Sequence, residues 1–323
     1  MKRSSMPRAA HFHLVTLLPL GVLAAAVGAG CSAPPESSTA EAATGTLSEA
    51  VHAPGGHEHL MLTDQARAAQ EVAQVTPEVS PLRSTSKLTY YGGPVIQNVQ
   101  VIPVYWNSKV ALQSSLNAFY SAVSTGQYMS FFSQYDTSSP SQTIGNGSRG
   151  TPFVDSETST KVTDAQVQAE LNRLFSAGSL PAPNNNRLYM VHFPPGTTIT
   201  DSGGSASCVV FCAYHGTYVR NGQDVYYGII PDLGSGGCQS GCGGSTVVNN
   251  TTSVSSHEFA EAITDPAVGL ATTYGPPLGW YNRSKGEIGD ICNGQQTTTT
   301  LSDGKTYTVQ KLFSNATSSC VTP

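Results

Sequence analysis

The residues best suited to chemistry lie in Ser255-Ser256-His257-Glu258-Phe259-Ala260-Glu261-Ala262-Ile263-Thr264-Asp265-Pro266. On an α-helix, side chains four positions apart share a face, so His257 and Glu261 point the same way, one turn apart. This is the spacing of the helical ligand pair in H-E-x-x-H zinc sites, with Glu in place of the second His. Zinc accepts carboxylate oxygen as well as imidazole nitrogen, so the replacement is chemically allowed. Glu258 follows the first ligand, where a carboxylate activates metal-bound water and passes its proton to the leaving group. It is read as the general base, not as a ligand. H-E-x-x-E is a short pattern, and the same letters also describe a helix end with two acids and a capping His.

A downstream acid is the usual third ligand. Gly286-Glu287-Ile288-Gly289-Asp290-Ile291-Cys292 offers Glu287 and Asp290, of which Glu287 has the longer reach. His215, in Ala213-Tyr214-His215-Gly216, has three readings: a ligand, an oxyanion stabiliser, or a satisfied hairpin histidine. His192 lies within an apolar strand and reads as packed. Asp265 precedes Pro266 and reads as a helix end, while His57-Glu58-His59 reads as a solvated turn. If the acids serve structure and not catalysis, calcium held by oxygen is the alternative ion. No G-x-S-x-G elbow is present. Gly234-Ser235-Gly236-Gly237 lacks the Gly-Lys-Ser/Thr of a phosphate loop, and there is no dinucleotide fingerprint.

These side chains need a scaffold. Val99 to Trp106 is β-branched and aromatic and predicts a strand. Leu112, Leu116, Phe119, Tyr120 and Val123 recur at helical spacing and predict a helix over 111–134. Thr163-Asp164 is an N-cap signal for a helix reaching about Ser176 through Val167, Leu171 and Leu174. Arg187 to Phe193 predicts another strand. The alternating stretches 213–219 and 224–230 flank Asn221-Gly222, a hairpin turn. A Gly- and Cys-rich loop then leads into a helix over about 246–264 that carries His257 and Glu261. The expected architecture is one zincin-like α/β (α+β) domain, a mixed sheet packed on long helices with a loop-rich, disulfide-bonded C-terminal part.

The ends add location. Lys2, Arg3 and Arg8, an apolar run from about Leu14 to Val27, and small residues before Cys31 form a secretory signal over 1–31. Gly28-Ala29-Gly30-Cys31 is similar to a lipoprotein signal, with Cys31 lipidated. Ordinary cleavage near Ala24-Ala25-Ala26 is the other reading. Residues 32–87, rich in Ala, Ser, Thr, Pro and Glu, read as a tether or pro-segment, and the globular domain is placed at 88–323. Charged residues are only 11% and the formal net charge is -5, which excludes the basic face of a nucleic-acid binder. Membrane contact is expected only through the Cys31 lipid, and the domain is expected to be a monomer outside the cytoplasm. Six further cysteines, Cys208, Cys212, Cys238, Cys242, Cys292 and Cys320, read as disulfides in an exported chain. Cys292 with Cys320 is the pairing that pins the C-terminal tail. The two C-x3-C pairs, CVVFC and CQSGC, leave zinc as the rival reading.

Tyr91-Gly92-Gly93-Pro94, Cys212-Ala213-Tyr214-His215-Gly216, His257-Glu258-Phe259-Ala260-Glu261 and Gly286 to Cys292 follow one another in order. Together they resemble the EXORDIUM, or phosphate-induced protein, family over about residues 88–321. In that family the helix usually reads H-E-L-A-E and often ends in Asn-Pro, so Phe259 and Asp265-Pro266 are departures. The resemblance implies an exported cell-wall or surface protein tied to growth and supplies no biochemical activity. Two functions follow. One is a zinc-dependent hydrolase, a peptidase acting on polypeptide. The other is a non-enzymatic protein that binds a wall or surface component.

Overall fold

The computed structural model describes residues 59–74 and 87–323. All of them belong to one compact unit, Thr44–Pro323. Its centre is a mixed sheet. Strand β1 (His59–Leu62) is followed by helix α1 (Asp64–Gln74), then β2 (Gln100–Tyr105), α2 (Gln113–Val123), α3 (Asp164–Ser176), β3 (Arg187–His192), β4 (Phe211–Arg220), β5 (Gln223–Ile230) and α4 (Val247–Thr264). Across the sheet the order is β1-β4-β5-β3-β2, with Ser148–Arg149 and Phe153–Val154 pairing along the outer side of β2. β1, β4 and β5 pair antiparallel, whereas β5, β3 and β2 run parallel.

The sheet is buried on both faces. On one, Val101, Tyr105, Leu188, Met190 and Ile230 pack against Leu116, Phe119 and Val123 of α2 and Val254, Phe259 and Ile263 of α4. On the other, Ile102, Val104, Tyr189, Val191 and Tyr227 pack against Val167, Leu171 and Leu174 of α3. Alternation along each strand sends successive side chains to opposite helix layers. Coverage of both faces explains why β2 and β3 read as continuous apolar runs.

Local signals hold where backbone chemistry is explicit. Thr163 caps α3 in a full capping box with Gln166. Thr246 accepts from the Asn249 N–H at the start of α4. Asn221 and Gly222, at φ 51° and 79°, form the turn between β4 and β5. The single helix expected over 111–134 is broken. It stops at Val123, and Gly126, at φ 75°, turns the chain before Gln127–Ser130 and a 3-10 turn at Phe131–Tyr135. The stretch read as a tether or pro-segment contains, at 59–74, a strand and helix that build onto the sheet, with Met61 and Leu62 buried. The signal segment, Cys31, His57 and Glu58 lie outside the described residues.

After α4 the chain is loop-rich. Hairpin β6 (Gln296–Thr300) and β7 (Thr306–Gln310) leans on α4, where Thr252 donates to the Thr308 carbonyl at 2.7 Å. The short strands Leu312–Ser314 and Ser319–Val321 end the chain. Three disulfides brace the fold: Cys208–Cys238, Cys212–Cys242 and Cys292–Cys320. The pairing 292–320 is as the sequence suggested. Zinc at the two C-x3-C pairs is overturned, because each cysteine of CVVFC is bonded to one of CQSGC. These bonds staple the Gly-rich loop to the start of β4.

Candidate functional site

The middle of α4 is buried all round, because it lies between the sheet and the C-terminal hairpins. Its polar residues face a point where three elements meet. α4 supplies His257, Glu258 and Glu261, strand β4 supplies His215, and the loop after Tyr281 supplies Glu287 and Asp290. His215, His257, Glu258, Glu261 and Glu287 are between 0% and 1% exposed. All six candidate residues named from the sequence therefore come together.

His257 Nε2 lies 3.0 Å from Glu261 Oε1 and 3.7 Å from Asp290 Oδ1. His215 Nδ1 lies 3.4 Å from Glu258 Oε2 and 3.6 Å from Glu261 Oε2, while its Nε2 is 3.6 Å from Glu287 Oε1. Two overlapping sets place one ligand atom from each residue within 4.8 Å of the others: His215, Glu261 and Glu287, and His257, Glu258 and Glu261. Glu261 belongs to both. Both ring nitrogens of His257, both carboxylate oxygens of Glu258, Nδ1 of His215 and Oε2 of Glu261 are buried and lack a hydrogen bond of good geometry.

The electrostatics follow from burial. Burial opposes charge on His215, but the Glu258 and Glu261 carboxylates outweigh it and hold the ring up at about 10. His257 is likewise held at about 10 against burial, chiefly by Glu261. Burial raises Glu258 against the pull of the two rings. Burial raises Glu287 too, and the charges of Glu261 and Asp265 push it further. Glu261 goes the other way: His257 and His215 overcome its burial and hold it below the usual carboxylate range. Acids outnumber cationic partners here, a balance that favours a bound cation or retained protons.

The surroundings fix orientation. The backbone N–H groups of Gly289 and Asp290 donate to Glu261 Oε1 at 3.1 and 3.0 Å. Asp290 Oδ2 accepts from the Glu287 N–H at 2.9 Å, closing the turn. Gln310 reaches from β7 to the Gly289 carbonyl at 2.8 Å. A Cβ on Gly289 would sit 2.7 Å from His257 Nδ1 and 2.8 Å from Glu261 Oε1, so only glycine lets this loop approach the helix. Gly228, opposite His215 in the β4–β5 ladder, faces the Met190 sulfur and lies near Glu258. Gly289 was given no role of its own in the sequence motif and Gln310 was not named; the glycine spacing of Gly286-Glu287-Ile288-Gly289 is the signal that could have marked the first, and nothing local marks the second.

Of the other polar candidates, His192 is placed elsewhere, while Asp265 borders the cluster with its carbonyl 3.4 Å from His215 Nε2. His192 is buried, its Nε2 2.9 Å from the Tyr120 hydroxyl, and burial lowers its pKa to about 3. Asp265 ends α4 and accepts from the Gly279 N–H at 2.8 Å. No protein-family model, no curated protein and no solved structure matches the chain.

Proposed function

We propose that this chain is an exported zinc-dependent hydrolase acting on polypeptide, with His257 and Glu261 as helical ligands and Glu258 as the general base. The observation that carries the reading is the buried convergence of two histidines and several carboxylates, in which atoms of His215, His257, Glu258 and Glu261 lack a hydrogen bond of good geometry. Buried polar atoms are normally satisfied, and each orphan costs about 1–3 kcal/mol. A divalent cation between them satisfies several at once. Mixed nitrogen and oxygen donors suit zinc. Glu261 is shared by the two groupings, so His215 and Glu287 offer a second set of ligands around it, and Asp290 orients the loop beside them.

When bound, zinc would supply Lewis acidity and a water acidic enough to attack at neutral pH. The chain's own groups do the rest. Glu258 accepts and returns a proton, a role suited to a carboxylate whose burial makes it more basic. The Gly289 and Asp290 amides hold Glu261 in one orientation. Where His215 is not a ligand, its ring would be the group to donate to an oxyanion. Three disulfides are compatible with an oxidising, extracytoplasmic location, and among the described residues no helix is long and apolar enough to cross a membrane. Metal analysis of the purified chain tests the reading. About one zinc per chain, with cleavage of an unfolded protein substrate, is expected. Absence of zinc after gentle purification, with no cleavage when zinc is supplied, overturns it. Calcium in its place would favour a surface-binding protein of the EXORDIUM type.

A further inference from the structure

The cluster is sealed from solvent, and part of the seal comes from the chain's own N-terminal side. β1 pairs antiparallel with β4, the strand that carries His215. In register, His59 stands opposite His215, Leu60 opposite Tyr214, Met61 opposite Ala213 and Leu62 opposite Phe211. Without β1, β4 would be the sheet edge. From β1 the chain turns into α1, and Arg67 crosses to donate to the Asn293 carbonyl, three residues beyond Asp290. Between this strap and the loop lies a cavity of about 240 Å³, walled by Leu60 and Arg67 on one side and Lys285 and Asn293 on the other, with Asp290 among its lining residues. Of the six cluster residues only Asp290 lines the cavity; its Oδ1 is 3.7 Å from the buried Nε2 of His257, so the cavity ends at the edge of the sealed cluster.

The strap is anchored at its strand, where Met61, Leu62 and Thr63 are buried, and lies largely open along its helix. β1 has four residues and a register shift at Met61/Leu62. Of α1, Asp64, Gln65, Ala68, Ala69, Glu71 and Val72 are exposed. The strap contributes Met61 to the core that β4, β5 and α4 also build, but a short edge segment can open without global unfolding.

We propose that residues 59–74 form a displaceable strap that blocks entry to the histidine–carboxylate cluster, and that access requires β1 to leave the β4 edge. The inference rests on reading the cluster as a ligand site, and its test does not depend on which ion is held. Arg67→Ala removes the clasp to Asn293, and Leu60→Pro disfavours the short strand β1, since proline lacks the backbone N–H; neither residue belongs to the cluster. In the full chain, hydrogen exchange read by mass spectrometry should show 60–67 and 211–215 opening together, about tenfold faster in Arg67→Ala, which is about 1.4 kcal/mol. Exchange in α4 should stay unchanged. Carbethoxylation of His215 and His257 by diethyl pyrocarbonate, read peptide by peptide, should accelerate by the same factor in both variants. It should not change in Arg173→Ala, on the far face of the sheet. Strap amides that exchange only together with α4 would overturn the proposal. So would faster strap opening with unchanged histidine reactivity. A chain that binds no zinc but passes the histidine test would remove the hydrolase reading and leave the strap standing.

Discussion

Glu258 and His257 are neighbours in sequence with separable duties. Glu258→Gln keeps the size and one acceptor oxygen but removes the basic group. The variant should keep its zinc and lose about 100- to 10,000-fold in turnover. His257→Ala should lose both metal and activity, and metal content measured beside activity separates the two outcomes. Protons compete with the metal for the same rings. His215 and His257 are held at about 10, above their ordinary 6.5. In the cation-free chain their protonation therefore contributes stability that is fully present below about 6.5 and is lost as pH rises toward about 10. Zinc needs neutral rings, so uptake at pH 7 should release about two protons if both histidines are ligands. The apparent affinity should climb with pH across the same window. Calorimetry in buffers of different ionisation enthalpy counts the protons, and a count near zero would remove both rings from the ligand set.

At the scale of elements, the site depends on how closely a loop approaches a helix. Gly289→Ala would drive a methyl group into His257 Nδ1 and Glu261 Oε1. Because it disturbs groups that orient a ligand, metal affinity should fall about 10- to 100-fold. Thermal stability should fall less, and a zinc titration against a competing chelator measures the shift. The pair His257 and Glu261 was legible in the sequence because α-helical period alone puts them on one face. The α3 N-cap at Thr163 and the Asn221-Gly222 turn were legible for the same reason, since their chemistry is local; the capping partner Gln166 was not read. His215 was visible with three open readings, one of them a ligand: it lies on a strand far from α4 in sequence, and only the sheet brings the two together. β1 and α1 were hidden, because an Ala- and Glu-rich stretch resembles a tether until a neighbouring edge strand gives it something to pair with. The break after Val123 was missed because apolar spacing continues through Gly126, while the backbone conformation of that glycine does not.

For the molecule as a whole, the C-terminal part carries Glu287 and Asp290, two of the six site residues, on largely irregular backbone, and covalent ties compensate for the missing secondary structure. Cys292–Cys320 closes a loop with a sequence separation of 28 residues. Constraint of the unfolded chain by a loop of that size is worth about 3–4 kcal/mol in the chain-entropy account. The same bond anchors the turn that carries Glu287 and Asp290, helped by the Phe313 N–H donating to the Ile288 carbonyl at 3.0 Å. Paired replacement, Cys292→Ser with Cys320→Ser, avoids a stray thiol and should lower stability by that amount, read as a shift in the denaturant midpoint. It should also weaken metal binding, since the Gly289 and Asp290 amides would lose their fixed relation to Glu261. Paired replacement of Cys208 and Cys238, which close a similar loop at a separation of 30 residues, should cost similar stability while leaving the Glu287–Asp290 turn in place. The comparison tests whether the C-terminal disulfide serves the site as well as the fold. Equal stability losses with unequal zinc affinities are the expected result. Equal affinities at matched stability would assign Cys292–Cys320 to folding alone.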